Sequence, residues 1–312
     1  MRIAVVGAGA LGSVVGVLLL EAGLDTVFVE RDHDKVRLIR ENGLWLEGVS
    51  GERIVRPAIY QDLSEAGLID LALVLVKSYD TRSAISTLEQ ILPGSGLVLT
   101  LQNGIGNYET LDEAFPGRVL LGTTTMGAMY LAPGRYRHTG FGSTHFGETD
   151  GTIRERTRAI GSVLEKMNSG PVHVVDNAVG CVWSKLIINA AINAPCTLLA
   201  IRNGRLPETD SGKELIYKIV SECLMIVRAK GIGLIFEDPA DQVIGVCRGT
   251  SENINSMLQD ILAGRPTEID FINGALAREA EELGFAAPVN KTLALLIKAR
   301  ETKEQERVPT PA

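Results

Sequence analysis

The chain has 312 residues, of which 45% are hydrophobic and 22% are charged, and its formal net charge is −7. This length is sufficient for two hydrophobic cores, so we expect two domains. The negative net charge and the absence of a basic block argue against a nucleic-acid or anionic-membrane partner.

The first residues run directly into a glycine-rich segment, without the apolar stretch and cleavage site of a signal peptide. The sequence predicts no membrane span, because no run approaches the ~20 apolar residues that one requires. The cysteines, Cys181, Cys196, Cys223 and Cys247, lie far apart without metal-binding spacing, so no metal site is expected. They indicate buried thiols in a reducing compartment, and we expect a cytoplasmic protein.

A strand, a glycine loop and a helix open the chain. Residues 3–6 are an apolar run typical of a strand buried on both faces. The loop that follows leads into a helical segment over residues 13–22 and a second strand over residues 25–29. The loop residues are Gly7, Ala8, Gly9, Ala10, Leu11 and Gly12. In this context, with the acidic Glu30 beyond the third glycine, the spacing is a dinucleotide-binding fingerprint.

Each glycine of this loop has a separate physical role. Gly7 permits the tight turn, Gly9 lets the backbone approach a diphosphate, and Gly12 lets helix and strand pack closely. The diphosphate would bind to free N–H groups at the helix N-terminus.

Glu30 and Arg31 favour different cofactors. A carboxylate at this position usually holds the ribose hydroxyls of NAD, whereas an arginine pairs with the 2′-phosphate of NADP. Both residues are present, so the residues alone leave the choice open.

Apolar strands predicted over residues 68–76 and 97–101 end in Lys77 and in Gln102-Asn103. Ligands bind beyond the carboxyl ends of the strands in a doubly wound sheet. We therefore interpret Lys77 and Asn103 as cofactor or substrate contacts rather than ordinary loop residues.

The strand signals continue as far as Asp176. Residues 119–129 predict one further strand, and the glycine-rich residues 136–147 predict antiparallel strands at the sheet edge. His138 and His145 are expected to be exposed turn residues. We predict a Rossmann-type doubly wound sheet over residues 1–176 and an all-helical domain over residues 177–312.

The helix predicted over residues 178–200, interrupted or bent near Pro195, is apolar nearly all round and carries Lys185, Asn189 and Asn193 along one face. Burying an ammonium group costs several kcal/mol unless it is paired. The stripe is therefore either a functional site or a lysine whose charged end reaches water. Further helices are predicted over residues 213–230, 239–247, 267–283 and 290–301, with a polar loop at 253–257 and a frayed tail over 305–312.

Several separated segments together resemble the ketopantoate reductase (2-dehydropantoate 2-reductase) family. They are the glycine loop with Arg31, residues 102–106, 122–125, 183–193, 253–260 and 267–274. The resemblance implies NADPH-dependent reduction of a branched 2-oxo acid, on the route to pantothenate and coenzyme A. Glu30 departs from the family pattern, so NADH stays open beside NADPH.

The resemblance also implies roles for individual residues. Lys185 would donate the proton to the substrate oxygen, and Glu268 would bind the substrate hydroxyl. The substrate would further be held by Asn103, Asn189, Asn193, Asn203 and Ser256. The cofactor would contact the glycine loop, Arg31, Lys77, Asn103 and Ala128. Whether the chain forms a homodimer is left open.

The chemistry of these residue types agrees with that assignment. An ammonium group aimed at a ketone oxygen stabilises the developing alkoxide and then gives up its proton. Without the resemblance, Glu268 would be interpreted as an acid favoured at a helix N-terminus. The alternatives are a reductase of another branched 2-oxo acid, a 3-hydroxyacid dehydrogenase and a protein that senses NAD(P) without turnover.

Overall fold

The computed structural model describes residues 1–61 and 65–303. By the packing of its residues the chain divides into two compact units. Unit 1 comprises residues 1–102 and 107–181, and unit 2 comprises residues 103–106 together with those from Val182 onward. The predicted boundary at residue 176 stays a prediction.

Unit 1 contains a main sheet to which the described residues contribute eight strands. They are β1 (Ile3–Val6), β2 (Thr26–Val29), β5 (Ile59–Tyr60), β6 (Leu71–Val74), β7 (Leu97–Thr100), β8 (Val119–Thr124), β11 (Thr144–Gly147) and β12 (Val172–Val174). The strand order is β12-β11-β8-β7-β6-β1-β2-β5. Strands β1, β2 and β6 are buried along their whole length, as expected for apolar runs covered on both faces.

Six neighbouring strands of this sheet are mutually parallel and run in the order β5-β2-β1-β6-β7-β8. This is the Rossmann order, in which successive strands are added first on one side of β1 and then, from β6 onward, on its other side. The predicted fold class, a Rossmann-type sheet followed by a helical part, is therefore confirmed. The glycine loop follows β1, and Lys77 follows the adjacent strand β6. Both therefore lie at the carboxyl ends of neighbouring strands, at the point where the strand order changes from one side of β1 to the other.

Unit 1 also contains a second sheet, which the sequence did not predict. In the described chain it has the order β4-β3-β10-β9, with β3 (Leu44–Gly48), β4 (Arg53–Val55), β9 (Gly127–Ala132) and β10 (Arg135–Gly140). Strands β3 and β4 pair antiparallel as a hairpin. The single strand predicted over residues 119–129 is wrong, because β8 ends at Thr124 and the chain crosses into the second sheet. Gly127 permits the crossing, since a Cβ there would lie 2.4 Å from Thr139 Oγ1.

The glycine-rich segment therefore serves both sheets. Its part β10 pairs with β9 and β3, whereas β11 pairs antiparallel with β8 and joins the main sheet. The expectation of exposed histidines is wrong: His138 is fully buried on β10, and His145 is half-buried on β11. Alternation along β10 turns every second side chain inward, and His138 takes an inward position.

Helices cover both faces of the main sheet. They are α1 (Ala10–Glu21), α2 (His33–Asn42), α3 (Thr81–Ile91), α4 (Asn107–Ala114) and α5 (Glu155–Glu165). Helix α1 packs against β1 and β2 on one side and against the second sheet on the other. One core therefore joins α1 to both sheets, and a second core lies under α3 and α4.

The described part of unit 2 is helical. Its helices are α6 (Ala178–Leu199), which begins in unit 1, α7 (Asp210–Ala229), α8 (Pro239–Gly249), α9 (Ser256–Leu262), α10 (Asn273–Glu282) and α11 (Pro288–Lys303). The helix predicted over residues 267–283 is wrong at its start, because a short 3-10 turn, Ile269–Phe271, precedes α10. The predicted loop at residues 253–257 ends earlier than expected, since α9 begins at Ser256. The frayed tail predicted from residue 305 lies outside the described residues.

Helix α6 has 22 residues and is apolar and long enough to cross a membrane, although the sequence predicted no such segment. In its most apolar window 72% of the residues are buried inside the protein. This is the pattern of a core helix, and the expected cytoplasmic location stays a prediction.

Candidate active site

The glycine loop has the backbone geometry that a dinucleotide needs. Gly7 adopts a φ of +102°, and a Cβ there would lie 2.9 Å from the backbone nitrogen of Val76. A Cβ on Gly12 would lie 2.0 Å from the carbonyl oxygen of Gly7. Both positions therefore require glycine, the first for the turn and the second for close packing of α1 on the loop.

Gly9 differs from Gly7 and Gly12 because, apart from its own atoms and those of its two chain neighbours, no described atom lies within 4 Å of the place where its Cβ would be. Gly9 is also the N-cap of α1 and offers no side chain to the helix N-terminus. The first N–H groups of a helix have no partner within the helix and attract an anion. This open backbone at the start of α1 fits a dinucleotide diphosphate.

The carboxylate of Glu30 is buried and engaged inside the protein. Its Oε2 accepts hydrogen bonds from Ala8 N–H at 3.1 Å and Lys35 Nζ at 2.7 Å, and its Oε1 accepts from Asp32 N–H at 3.1 Å. Arg31 instead points outward, with its side chain 64% exposed and its guanidinium 2.6 Å from Asp80. Glu30 and Arg31, which in the sequence favour different cofactors, thus occupy different environments: the carboxylate is buried and the guanidinium is exposed.

The other residues expected to contact the cofactor lie on separate elements of unit 1. Lys77 directly follows Val76, the residue against which the Gly7 turn packs, and it precedes a short 3-10 turn, Ser78–Asp80. Ala128 lies on β9 of the second sheet, paired in register with His138. The structure thus brings Lys77 to the glycine loop and places Ala128 on a sheet that the sequence did not reveal.

Helix α6 presents the polar stripe as predicted. Lys185 and Asn189 are half-buried and Asn193 is buried, whereas most of the surrounding positions are fully buried apolar residues. The spacing of four residues places these three side chains on one helix face.

The Lys185 ammonium group shares its surroundings with a carboxylate. Burial lowers the pKa of Lys185 to about 8, and the negative charge of Glu268 opposes that shift. Asn103 Nδ2 donates to Glu268 Oε2 at 3.2 Å. Lys185, Glu268 and Asn103 therefore come together in unit 2, although they are far apart in sequence.

Residues 103–106 reach Glu268 because they dock on the turn that follows it. Ile105 N–H donates to Phe271 O at 3.0 Å, and a Cβ on Gly104 would lie 2.3 Å from that oxygen. Gly104 also has a φ of +80°, so the close approach and the backbone conformation both require glycine. The short turn Ile269–Phe271, found where the sequence predicted a helix start, is thus the surface on which Gly104 and Ile105 dock.

Asn203 and Ser256 lie on a second group of elements. Asn203 N–H donates to Asn253 O at 3.1 Å, and its Nδ2 donates to Thr250 Oγ1, which ties it to the loop before α9. Its Oδ1 is buried without a hydrogen-bond partner among the described residues. Ser256 is the exposed first residue of α9. An unmet buried acceptor such as Asn203 Oδ1 suits a ligand hydroxyl.

A buried polar network holds α6 in place beside the stripe. Asn273 Nδ2 donates to Ala190 O at 3.1 Å and to Asn290 Oδ1 at 2.9 Å. Glu222 accepts from Asn290 N–H at 2.9 Å and from Asn290 Nδ2 at 2.8 Å. The network fixes the backbone of α6 between Asn189 and Asn193.

Sequence reasoning did not single out Lys35, Tyr136 or Asn273. Lys35 lies five residues after Glu30 on an exposed helix, where it reads as an ordinary surface charge. Tyr136 and Asn273 act through pairings that only the folded chain reveals, and we find no local signal that identifies them.

The arrangement in unit 2 can transfer a proton to a polarised oxygen. A lysine whose pKa lies near 8 is protonated at neutral pH and releases its proton more readily than an exposed lysine. Glu268 and the asparagines supply acceptors and neutral donors that can hold a small polar substrate.

Comparisons with known proteins agree with this geometry. The family model "Ketopantoate reductase PanE/ApbA" matches residues 3–151, and the model of its C-terminal part matches residues 177–301. A 2-dehydropantoate 2-reductase of Pyrococcus abyssi is 36% identical over 309 residues, which cover 98% of this chain and 100% of that protein. One of Halobacterium salinarum is also 36% identical, and the match covers 96% of this chain and 98% of that protein.

Solved structures give the same result. A PanE/ApbA family ketopantoate reductase from Ralstonia eutropha is 30% identical with a TM-score of 0.89, covering 98% of this chain and 100% of that one. A D-mandelate dehydrogenase, solved with NADH and anilino(oxo)acetate, is 26% identical with a TM-score of 0.90 and the same coverage. The resemblance noted in the sequence is confirmed, and the chain belongs to the ketopantoate reductase family.

Proposed function

We propose that this protein is a 2-dehydropantoate 2-reductase, which reduces ketopantoate to pantoate with NADPH. The observation that carries the proposal is the grouping of Lys185, Glu268 and Asn103. Membership of the family and the curated relatives, which are 2-dehydropantoate 2-reductases, support the same reaction.

Lys185 acts as the proton donor. A nicotinamide held there would supply the hydride for the carbonyl carbon, and negative charge would then develop on the ketone oxygen. The Lys185 ammonium stabilises that charge and then transfers its proton to the oxygen. Burial prepares the lysine for this step by lowering its pKa, and Glu268 keeps the group protonated at neutral pH.

Glu268 also recognises the substrate. One of its oxygens already accepts from Asn103, and a carboxylate has capacity for a further donor such as the hydroxyl of ketopantoate. Asn189, Asn193, Asn203 and Ser256 complete the substrate contacts. Asn203 supports this assignment with its buried and unmet Oδ1.

NADPH is the proposed cofactor, held by the loop Gly7, Ala8, Gly9, Ala10, Leu11 and Gly12 with Arg31, Lys77, Asn103 and Ala128. The Glu30 carboxylate is already paired with Lys35 and with backbone N–H groups. Its negative charge is therefore offset, which reduces its repulsion of the ribose 2′-phosphate of NADPH. Arg31 is exposed and presents a guanidinium that suits a phosphate group.

We predict that Arg31→Ala lowers kcat/KM for NADPH by about tenfold to a hundredfold, which is the range for a lost hydrogen bond to a charged group. The value for NADH should stay near that of the wild type, because NADH lacks the 2′-phosphate. Steady-state assays with both cofactors check this, and an equal loss for the two would contradict the assignment of Arg31.

The substrate is tested by steady-state assays with NADPH and three 2-oxo acids: ketopantoate, 2-oxoisovalerate and phenylglyoxylate. We expect the highest kcat/KM for ketopantoate, because 2-oxoisovalerate lacks the hydroxyl that Glu268 binds. Phenylglyoxylate is included because a similar structure is a D-mandelate dehydrogenase. A higher value for either competitor would reassign the substrate.

A further inference from the structure

The second sheet contributes a buried tyrosine to the glycine loop. Tyr136 on β10 is fully buried, and its hydroxyl donates to the carbonyl oxygen of Ala8 at 2.8 Å. Burial raises the pKa of Tyr136 above its usual range, so the hydroxyl retains its proton and remains a donor. Alternation along β10 turns Tyr136 inward, while its neighbours Arg135 and Arg137 are exposed.

Glu30 binds Ala8 as well, through the backbone N–H group of that residue. Its Oε2 accepts from Ala8 N–H at 3.1 Å, and Lys35 Nζ, at 2.7 Å from that oxygen, fixes the carboxylate. Ala8 itself is fully buried. Since buried backbone groups need partners, Glu30 and Tyr136 supply from the side chains what the tight loop cannot supply from its own backbone.

These two bonds determine how the loop presents its N–H groups. A trans peptide is planar, so a carbonyl that points towards Tyr136 turns the N–H of the next residue, Gly9, in the opposite direction. Gly9 is the residue whose outer side is open and which forms the N-cap of α1. The bond from Tyr136 therefore sets the direction of the N–H group at the open end of the loop.

We propose that Tyr136 and Glu30 are positioning residues that hold Ala8 between them and thereby preorganise the loop for the cofactor diphosphate. The proposal rests on the proposed function, because it assumes that a nicotinamide dinucleotide binds here. Glu30 serves the loop and not the ribose, and the second sheet provides the tyrosine that braces it. Preorganisation raises affinity by removing the cost of ordering the loop on binding.

Tyr136→Phe tests the proposal because it removes the donor and keeps the ring. We expect the Kd and KM for both NADPH and NADH to rise by about tenfold, the effect of one lost hydrogen bond at a buried carbonyl. The kcat at saturating cofactor should not change, since the variant leaves Lys185 and Glu268 intact. Tyr108→Phe is the matched control: it removes a bond of 2.9 Å to Thr149 in the same unit, and it should leave both Kd values unchanged.

Glu30→Gln tests the opposite side of Ala8. An amide has one carbonyl oxygen, so it cannot accept both from Ala8 N–H and from Asp32 N–H as the carboxylate does. We expect both NADPH and NADH to bind less tightly, because the loss of hydrogen bonds from Glu30 disturbs the loop that holds their common diphosphate. The removed negative charge, by contrast, would change the binding of NADPH alone, through its 2′-phosphate. Circular dichroism verifies that each variant is folded.

The outcomes are distinct. A folded Tyr136→Phe variant with unchanged Kd values, even if it melts at a lower temperature, would overturn the proposal and leave the proposed function intact. Weakened binding of NADPH alone would also overturn it, since the diphosphate is common to both cofactors. A wild-type protein that binds neither dinucleotide would instead overturn the proposed function itself.

Discussion

At the scale of single residues, the chemistry depends on how Lys185 is balanced between burial and Glu268. Burial favours the neutral amine and lowers the pKa to about 8, while the carboxylate favours the ammonium form. A proton donor must be protonated before the reaction, so the rate of reduction should fall as the pH rises through the pKa of Lys185. The pH at which this decline occurs therefore measures how strongly the charge of Glu268 raises the pKa of Lys185.

We predict that Glu268→Gln moves the decline in kcat/KM for ketopantoate to lower pH. Glu268 raises the pKa of Lys185, so removing its charge lowers that pKa and leaves less ammonium at a given pH. A glutamine retains an oxygen that can accept from Asn103, which limits the structural change. The wild-type profile should decline near pH 8, and a decline in the variant at the same or higher pH would contradict the account.

At the scale of elements, two glycines, one in the loop and one in α1, allow the effect of a substitution on cofactor binding to be distinguished from its effect on stability. Gly9 faces open space, whereas a Cβ on Gly16 would lie 2.1 Å from the ring of Phe28. The first glycine therefore leaves room for the proposed diphosphate, and the second is required by the packing of α1 on β2. The two positions allow a matched pair of alanine substitutions in one helix.

We predict that Gly9→Ala leaves the melting temperature nearly unchanged but removes most dinucleotide binding, because its Cβ enters the space through which a diphosphate approaches the backbone. Gly16→Ala should destabilise the fold by about 1–3 kcal/mol through overpacking. Thermal melts and fluorescence titrations with NADPH measure both effects. Normal NADPH affinity in Gly9→Ala would contradict the assigned role of the loop.

Local signals explain which elements could be predicted. The strand, glycine loop and helix at the start, and the polar stripe on α6, follow from periodicity within about ten residues. Where the chain crosses into the second sheet, the backbone of Gly127 lies close to Thr139, a contact between distant residues that no local pattern records. The same reason hid Tyr136, whose bond to Ala8 joins residues 128 positions apart.

The active-site prediction was limited in the same way. The stripe on α6 is visible in the sequence because it contradicts an otherwise apolar helix. The proposed role of Glu268 rests on the family resemblance, because the residue pattern alone predicts a helix start where the structure has the turn Ile269–Phe271. The hydrogen bond from Asn103 to Glu268 joins residues 165 positions apart, beyond the reach of any local pattern. The pairing of Glu30 with Lys35 likewise required the fold to show that the carboxylate is turned inward.

At the scale of the whole molecule, the two tasks of the enzyme are assigned to different units. Unit 1 contains the glycine loop with Arg31 and Lys77, and unit 2 contains Lys185, the proposed proton donor, with Glu268 and Asn103. Substitutions in the two units should therefore have separable effects on cofactor binding and on the chemical step. Lys185 is the residue at which this separation is most direct.

The decisive measurement is a single-turnover assay of NADPH oxidation with saturating ketopantoate, run on the wild type and on Lys185→Ala, together with titration of NADPH binding. We predict that the variant loses about 10²–10⁴-fold in the rate of reduction, the usual contribution of a positioned general acid, while its Kd for NADPH is unchanged. A variant that reduces ketopantoate at the wild-type rate would contradict the assignment of Lys185 as the proton donor.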